Sequence, residues 1–308
     1  MKLAQLVEKT EKRFKAAGLH YGHGTGNARD EAAFLVIRGL GLPFDVDLEQ
    51  DVAEKDIESL VRRRIRNRIP AAYLLNEAWL DGVPFYVDER VIVPRSHIAF
   101  LLGNLNPPRR VLDLCTGSGC LAVLAARAFP DARVVASDIS PAALEVAEKN
   151  VIRHRLQHRI RLVRSDLFAA TPGRFDLILS NPPYVDAPAM RRLTAEYRRE
   201  PELALAAGKD GLTFIRKILQ QAPSYLAPSG ILLCEVGDSR RALERAFPRL
   251  RFTWPAEFVF LLRREEIRTT SLRAIPRAAG RRGSRAAAPP ARRAGARSRQ
   301  SARRIRSR

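Results

Sequence analysis

Cysteine is scarce in this chain. The three present, Cys115, Cys120 and Cys234, form neither an even set for disulfides nor a metal-ligand spacing. A disulfide framework and a structural zinc site are thereby excluded, and a reducing, cytoplasmic setting is expected. Long apolar runs are also missing. None approaches the roughly 18 residues that cross a bilayer, and Met1-Lys2-Leu3-Ala4-Gln5 opens without the apolar core of a signal peptide. The five histidines (His20, His23, His97, His154, His158) do not cluster, so each is expected to be structural or solvated. No Asp, Glu or Lys follows Glu266, whereas 14 of the 54 basic residues do, all of them Arg. With all 33 acids upstream, the first 266 residues carry +7 of the total +21.

What is present is an apolar fraction of 46% in 308 residues, enough for a sizeable core and about two domains. Residues 1–75 show helical spacing at Leu3, Leu6, Val7 and Phe14, at Ala32, Leu35, Val36 and Leu40, and at Ile57, Leu60, Val61 and Ile65. The third of these helices ends before Pro70. Residues 76–96 are predicted as a linking β-hairpin turning at Asp81-Gly82. Residues 97–266 then alternate. Strands are expected at Val111–Leu114, Arg133–Ala136, Ile160–Val163, Phe175–Leu179, Ile231–Glu235 and Phe258–Leu262. Helices are expected at about Leu121–Ala128, Pro141–Val151 and Leu212–Leu226. This order implies an α/β fold whose parallel sheet is covered on both faces and binds ligands at its carboxyl edge. Residues 267–308, rich in Arg, Ala, Gly, Pro and Ser, are expected to be a disordered tail. Three readings of the tail stand: an electrostatic arm for ribosomal RNA or a ribosomal surface, a solvated extension, or sequence translated past the ancestral end of the gene.

Four strand ends carry the chemistry. Asp113-Leu114-Cys115-Thr116-Gly117-Ser118-Gly119-Cys120 leaves the first strand. Its Gly117 and Gly119 permit a tight turn and a close ligand, but it lacks the third glycine of a dinucleotide fingerprint and the lysine of a P-loop. Asp138 closes the second strand, where a carboxylate accepts both hydroxyls of a ribose. Asp166 follows the third, where a nucleobase edge would lie; alone it would read as a helix cap. Ser180-Asn181-Pro182-Pro183-Tyr184 follows the fourth. Its prolines stiffen the loop and remove donors, so Asn181 and the free carbonyls can clamp a planar NH2 group against the flat face of Tyr184. Glu235, at the end of the fifth strand, is either a supporting acid or an ordinary buried one.

Together these segments resemble the class I S-adenosylmethionine-dependent methyltransferases, and the Asn-Pro-Pro-Tyr loop resembles the subgroup acting on planar amide or amino nitrogens. Over about residues 1–265 the chain is similar to the protein glutamine N5-methyltransferases. Tyr21-Gly22-His23-Gly24-Thr25, Arg68 to Leu74, Asn76-Glu77-Ala78-Trp79, Pro84 to Arg90 and Val93-Pro94-Arg95-Ser96 look like the branch acting on a large-subunit ribosomal protein. Glu200-Pro201 through Gly208-Lys209-Asp210-Gly211-Leu212 matches this branch and the release-factor branch alike. His97-Ile98-Ala99-Phe100 departs from the family, which has a proline and a glutamate there. The resemblance implies a Rossmann-like fold with an N-terminal helical substrate-recognition domain. It also implies S-adenosylmethionine held by Asp113, Thr116, Gly117, Ser118, Gly119, Asp138, Asp166 and Asn181, and a glutamine held by Asn181, Pro182, Pro183 and Tyr184, with Asn181, Pro182 and Tyr184 catalytic.

Three other readings fit the residues. Peptide chain release factors offer the same amide. The exocyclic amines of adenine or guanine are planar too, and the basic tail suits nucleic acid, although residues 1–75 are neither notably basic nor aromatic. A ribosome-binding module with a relic cofactor fold is the non-enzyme case, against which the motif positions are all intact.

Overall fold

The computed structural model describes residues 1–269. The chain opens with four helices, α1 (Leu3–Ala16), α2 (Ala28–Gly39), α3 (Lys55–Asn67) and α4 (Ala71–Leu75). Helix α2 starts where the Asn27 side chain accepts from Asp30 N at 2.9 Å, with Asp30 and Glu31 complementing the positive end of the helix. The predicted stripes become a separate core in which Leu6, Phe14, Leu35, Val36, Ile57 and Val61 are buried.

Strands β1 (Ala78–Leu80) and β2 (Val83–Phe85) pair antiparallel about Asp81 (φ 50°) and Gly82 (φ 70°). Positive φ at both central residues gives a tight turn matching the strand twist. The hairpin is shorter than the sequence suggests. Beyond Phe85 the chain runs unpaired to Pro94, strapped down where Asn150 holds Tyr86 N at 2.7 Å and Tyr86 O at 2.9 Å. A 3-10 helix, His97–Asn104, leads into the sheet domain.

There the elements are β3 (Arg110–Leu114), α5 (Cys120–Ala128), β4 (Arg133–Asp138), α6 (Pro141–Arg153), β5 (Ile160–Arg164), β6 (Phe175–Ser180), α7 (Ala187–Arg191), α8 (Thr213–Tyr225), β7 (Leu226–Glu235), α9 (Arg240–Ala246), β8 (Thr253–Ala256), β9 (Val259–Arg263) and α10 (Arg264–Thr269). The sheet order is β5-β4-β3-β6-β7-β9-β8; the first five strands are parallel, and β9 and β8 are antiparallel. Val111, Leu177 and Leu233 pack one face against α5, while Leu112, Ile178 and Leu232 pack the other against α8. The doubly covered α/β fold expected from the alternating pattern is therefore present. Strand β8 was not expected: Thr253-Trp254-Pro255-Ala256 contains a proline, which only an edge strand accommodates. The boundary placed after Glu266 falls within α10, where Ile267 is buried in the second face. From residue 270 onward the expected tail lies outside the described residues. Among the described residues no helix is long and apolar enough to cross a membrane, and no group of His, Cys, Asp or Glu could hold a metal.

Candidate active site

The carboxyl ends of β3, β4, β5 and β6 converge on a cleft of about 230 Å³. Gly117, Asp138, Asp166, Asn181 and Pro183 line it. Two of its residues, Cys115 (φ 58°) and Leu167 (φ 47°), hold left-handed backbone without being glycine. Such conformations persist where surrounding structure over-determines them, and they gather at ligand sites. A wider hollow beside Arg109, Asp176 and Arg263 lies at the amino ends of the strands, away from every motif residue.

The first loop divides into a lining and a support. A Cβ built on Gly117 (φ 55°) meets no atom within 4 Å, so the position faces open cleft. Behind it, Asp113 is buried at the end of β3. It accepts from Thr116 Oγ1 at 2.5 Å and from Ala122 N at 3.1 Å, fixing the loop to the start of α5. Burial pushes its carboxyl up to about 7 against the pull of those two hydrogen bonds. Thr116 and Ser118 are buried, and Ser118 O accepts from Asn150 at 2.9 Å. At Gly119 a Cβ would lie 3.1 Å from that of Ala147, so this glycine serves the close approach of α5 and α6. Of the eight residues expected to hold the cofactor, Gly117, Asp138, Asp166 and Asn181 thus face the cleft, and Asp113, Thr116, Ser118 and Gly119 shape it from behind.

Asp138 is clamped by two backbone donors, Gly117 N at 3.0 Å and Ser140 N at 2.9 Å, which aim its carboxylate along the cleft. Burial raises its pKa, and the backbone hydrogen bonds oppose that rise. Asp166 caps no helix; it sits exposed at the rim after β5. The Asn181 side-chain amide has no hydrogen-bond partner among the described residues, and neither does the Pro182 carbonyl. Tyr184 does not line this cleft. Its ring packs on Gly237, and its carbonyl accepts from Ser239 Oγ at 3.2 Å. Burial, and then the nearby Glu235, hold its hydroxyl protonated well above the ordinary range.

Two apolar contributors were not singled out in the sequence. Ile139 and Leu203 line the cleft although 46% and 56% exposed. For Ile139, a large apolar residue directly after the strand-end Asp138 was the available signal; Leu203 had none. Arg95 and Glu200 form a two-pronged pair at 2.5 and 2.7 Å, and Glu200 also accepts from Val93 N at 3.0 Å. The Tyr197 ring lies between Arg95 and His23, with His23 4.3 Å away centroid to centroid. Burial lowers the His23 pKa to about 4. Glu235 is a supporting acid: it holds Ser96 Oγ at 2.6 Å and His97 N at 3.1 Å, starting the 3-10 helix at the departure from the family pattern.

Residues 97–197 match the family model described as methyltransferase small domain. The chain is 49% identical over 274 residues to the ribosomal protein uL3 glutamine methyltransferase of Neisseria meningitidis, spanning 83% of this chain and 90% of that one. The chain belongs to the family of ribosomal protein uL3 glutamine methyltransferases. Family members of that name from Bordetella pertussis and Bradyrhizobium diazoefficiens are 46% and 47% identical, covering 96% and 86% of their own lengths. The enzyme is a protein-glutamine methyltransferase, and its cofactor is S-adenosylmethionine. The cleft fits that group: Asp138 offers an aimed carboxylate for vicinal hydroxyls, Gly117 leaves room for close approach, and Ile139 and Leu203 offer apolar faces to a planar base.

Proposed function

We propose that the enzyme methylates the side-chain nitrogen of a glutamine in ribosomal protein uL3, in the cytoplasm, and that the Arg-rich tail adds contacts to ribosomal RNA. The observation that carries the reading is the unpartnered Asn181 amide beside the unpartnered Pro182 carbonyl, at the mouth of the cleft where Gly117 and Asp138 lie.

An amide nitrogen is a poor nucleophile because its lone pair is delocalised into the carbonyl. Bound S-adenosylmethionine supplies a methyl group on a sulfonium, ready for displacement. The Asn181 side-chain oxygen accepts one N–H of the glutamine amide and the Pro182 carbonyl accepts the other. Both protons are then held, and the lone pair points along the line of displacement. The gain is chiefly one of orientation. Tyr184, backed by Gly237, packs against the amide plane, and Pro183 walls the cofactor side. The nitrogen's proton departs once the nitrogen has become positive, so no strong base is needed. Asp138 grips the ribose, and Asp166 at the rim faces the base edge.

Asn181→Ala should lower kcat by about 100-fold or more, the scale of removing one preorganised hydrogen-bonding group at a reacting centre. The assay is transfer of labelled methyl from S-adenosylmethionine to purified uL3, release factor and naked RNA in parallel. Near-normal activity in the variant, or transfer to release factor or RNA in preference to uL3, would overturn the reading.

A further inference from the structure

We infer that a cluster of arginines beside the cleft mouth is a docking surface for the phosphate backbone of structured RNA, so that the enzyme engages its protein substrate alongside ribosomal RNA. This rests on the reading that the substrate is a ribosomal protein. The cluster comes from two elements that meet. The carboxyl half of α3 presents Arg63 and Arg66, and the end of α7 with the segment after it presents Arg191, Arg192, Arg198 and Arg199; all six are exposed. The Arg199 guanidinium donates to Asn67 O at the end of α3, and that of Arg198 reaches Arg191 O at 3.4 Å, which ties the two elements into one surface.

None of the six has a carboxylate partner among the described residues; Glu196, Glu200 and Glu58 are held by other arginines, and the exposed Glu202 lies beyond Pro201. Glu196 is buried on Arg64 and Arg68, at 3.4 and 3.3 Å. Glu200 is buried on Arg95. Glu58, five residues before Arg63 in α3, is held by Arg13 at 2.6 Å and Arg62 at 3.5 Å. Six uncompensated guanidinium groups on one face repel a basic protein and attract a polyanion. Guanidinium pairs with phosphate through two parallel hydrogen bonds, which favours phosphate over a scattered acidic peptide.

Position supplies the functional link. The segment carrying four of the arginines runs directly into Glu200-Pro201, and Pro201, Leu203 and Ala204 line the cleft. An RNA backbone seated here lies beside the route by which a substrate glutamine reaches Asn181. The surface is built wholly from the described residues.

The test uses the full chain, with its tail, carrying Arg63→Glu, Arg66→Glu, Arg191→Glu and Arg192→Glu together. A control carries Arg161→Glu, Arg164→Glu, Arg241→Glu and Arg245→Glu, exposed arginines elsewhere on the fold. Binding of a fluorescent large-subunit ribosomal RNA hairpin is followed by anisotropy from 50 to 300 mM salt. The tail is common to all three proteins and cancels in the comparison. The patch variant should bind at least about 10-fold more weakly at 150 mM salt. Its slope of log affinity against log salt should fall by about 3, as expected when four phosphate contacts are lost. The control should change affinity by less than about 3-fold. Binding of S-adenosylhomocysteine checks folding without reference to the protein substrate. Equal losses in patch variant and control, or an unchanged slope, would each overturn the inference. A failure of methyl transfer to uL3 in the unaltered enzyme would instead count against the substrate reading, and leave the RNA measurement standing.

Discussion

Gly237→Ala should disable methyl transfer without touching any group in the cofactor cleft. Gly237 follows β7 with φ 49°, and a Cβ there would lie 2.5 Å from Tyr184 Cε2, 2.8 Å from Cδ2 and 3.1 Å from Cζ. Carbon atoms settle at about 3.5 Å or more, so the ring must retreat by roughly 1 Å. The backbone cannot share the movement, because Tyr184 O is held by Ser239 Oγ at 3.2 Å and Val185 N donates to Leu205 O at 2.9 Å. A displacement of about 1 Å in a positioning group costs on the order of 100-fold in rate, and the expected result is a kcat reduced by that factor. Left-handed backbone adds about 1 kcal/mol of instability for alanine, a fall in Tm of about 2–4 °C for a body of this size. Binding of S-adenosylhomocysteine, measured by calorimetry, should be unchanged. In a Tyr184→Ala background the same substitution should cost little further activity, because its target is gone. Full activity in Gly237→Ala, or a penalty that simply adds to that of Tyr184→Ala, would refute the role given to the ring.

Two further outcomes are expected. Asp138→Ala removes the aimed carboxylate and the tether between two loops. The loss of charge-assisted hydrogen bonds worth about 1.5–3 kcal/mol should weaken S-adenosylhomocysteine binding by about 10- to 150-fold in titration calorimetry, and an unchanged Kd would remove Asp138 from the cofactor site. His23, whose pKa falls from 6.5 to about 4 through burial, binds a proton more readily unfolded than folded. Its contribution is complete above about pH 6.5 and is lost as pH falls toward 4. Between pH 7 and pH 5 the unaltered enzyme should lose about 2 kcal/mol more stability than His23→Phe in urea melts, and parallel curves for the two proteins would contradict the assignment.

Much of this was legible because the decisive residues sit at strand ends, where chain order alone fixes their neighbourhood. Parallel alternation of strand and helix puts Gly117, Asp138, Asp166 and Asn181 on one edge, and the cleft gathers all four. The same logic does not separate lining from support: Asp113 is one residue from a strand end like the others, yet its carboxylate turns inward to Thr116 and Ala122. Contacts between distant segments were beyond reach. Glu200 meets Arg95 across 105 residues, and no local period records such a pairing. Strand β8 was hidden by Pro255, and Leu203 by a polar loop that gave no sign of folding back over the cleft.

The buried Arg64 has a consequence for synthesis. It is fully enclosed within the helical core and is contacted by Glu31 from α2, by the carbonyl of His20 at 2.9 Å and by Glu196 at 3.4 Å. Two of those acceptors belong to the first 31 residues, but Glu196 emerges from the ribosome 132 residues after Arg64. Enclosing a cation before its acceptors are in place is strongly unfavourable. Glu31 and the His20 carbonyl satisfy Arg64 within the helical module, and Glu196 completes the set only once the segment after α7 has been made. A chain truncated before Glu196 would therefore keep the Glu31 pair and lose the acceptor that joins Arg64 and Arg68 to the segment after α7.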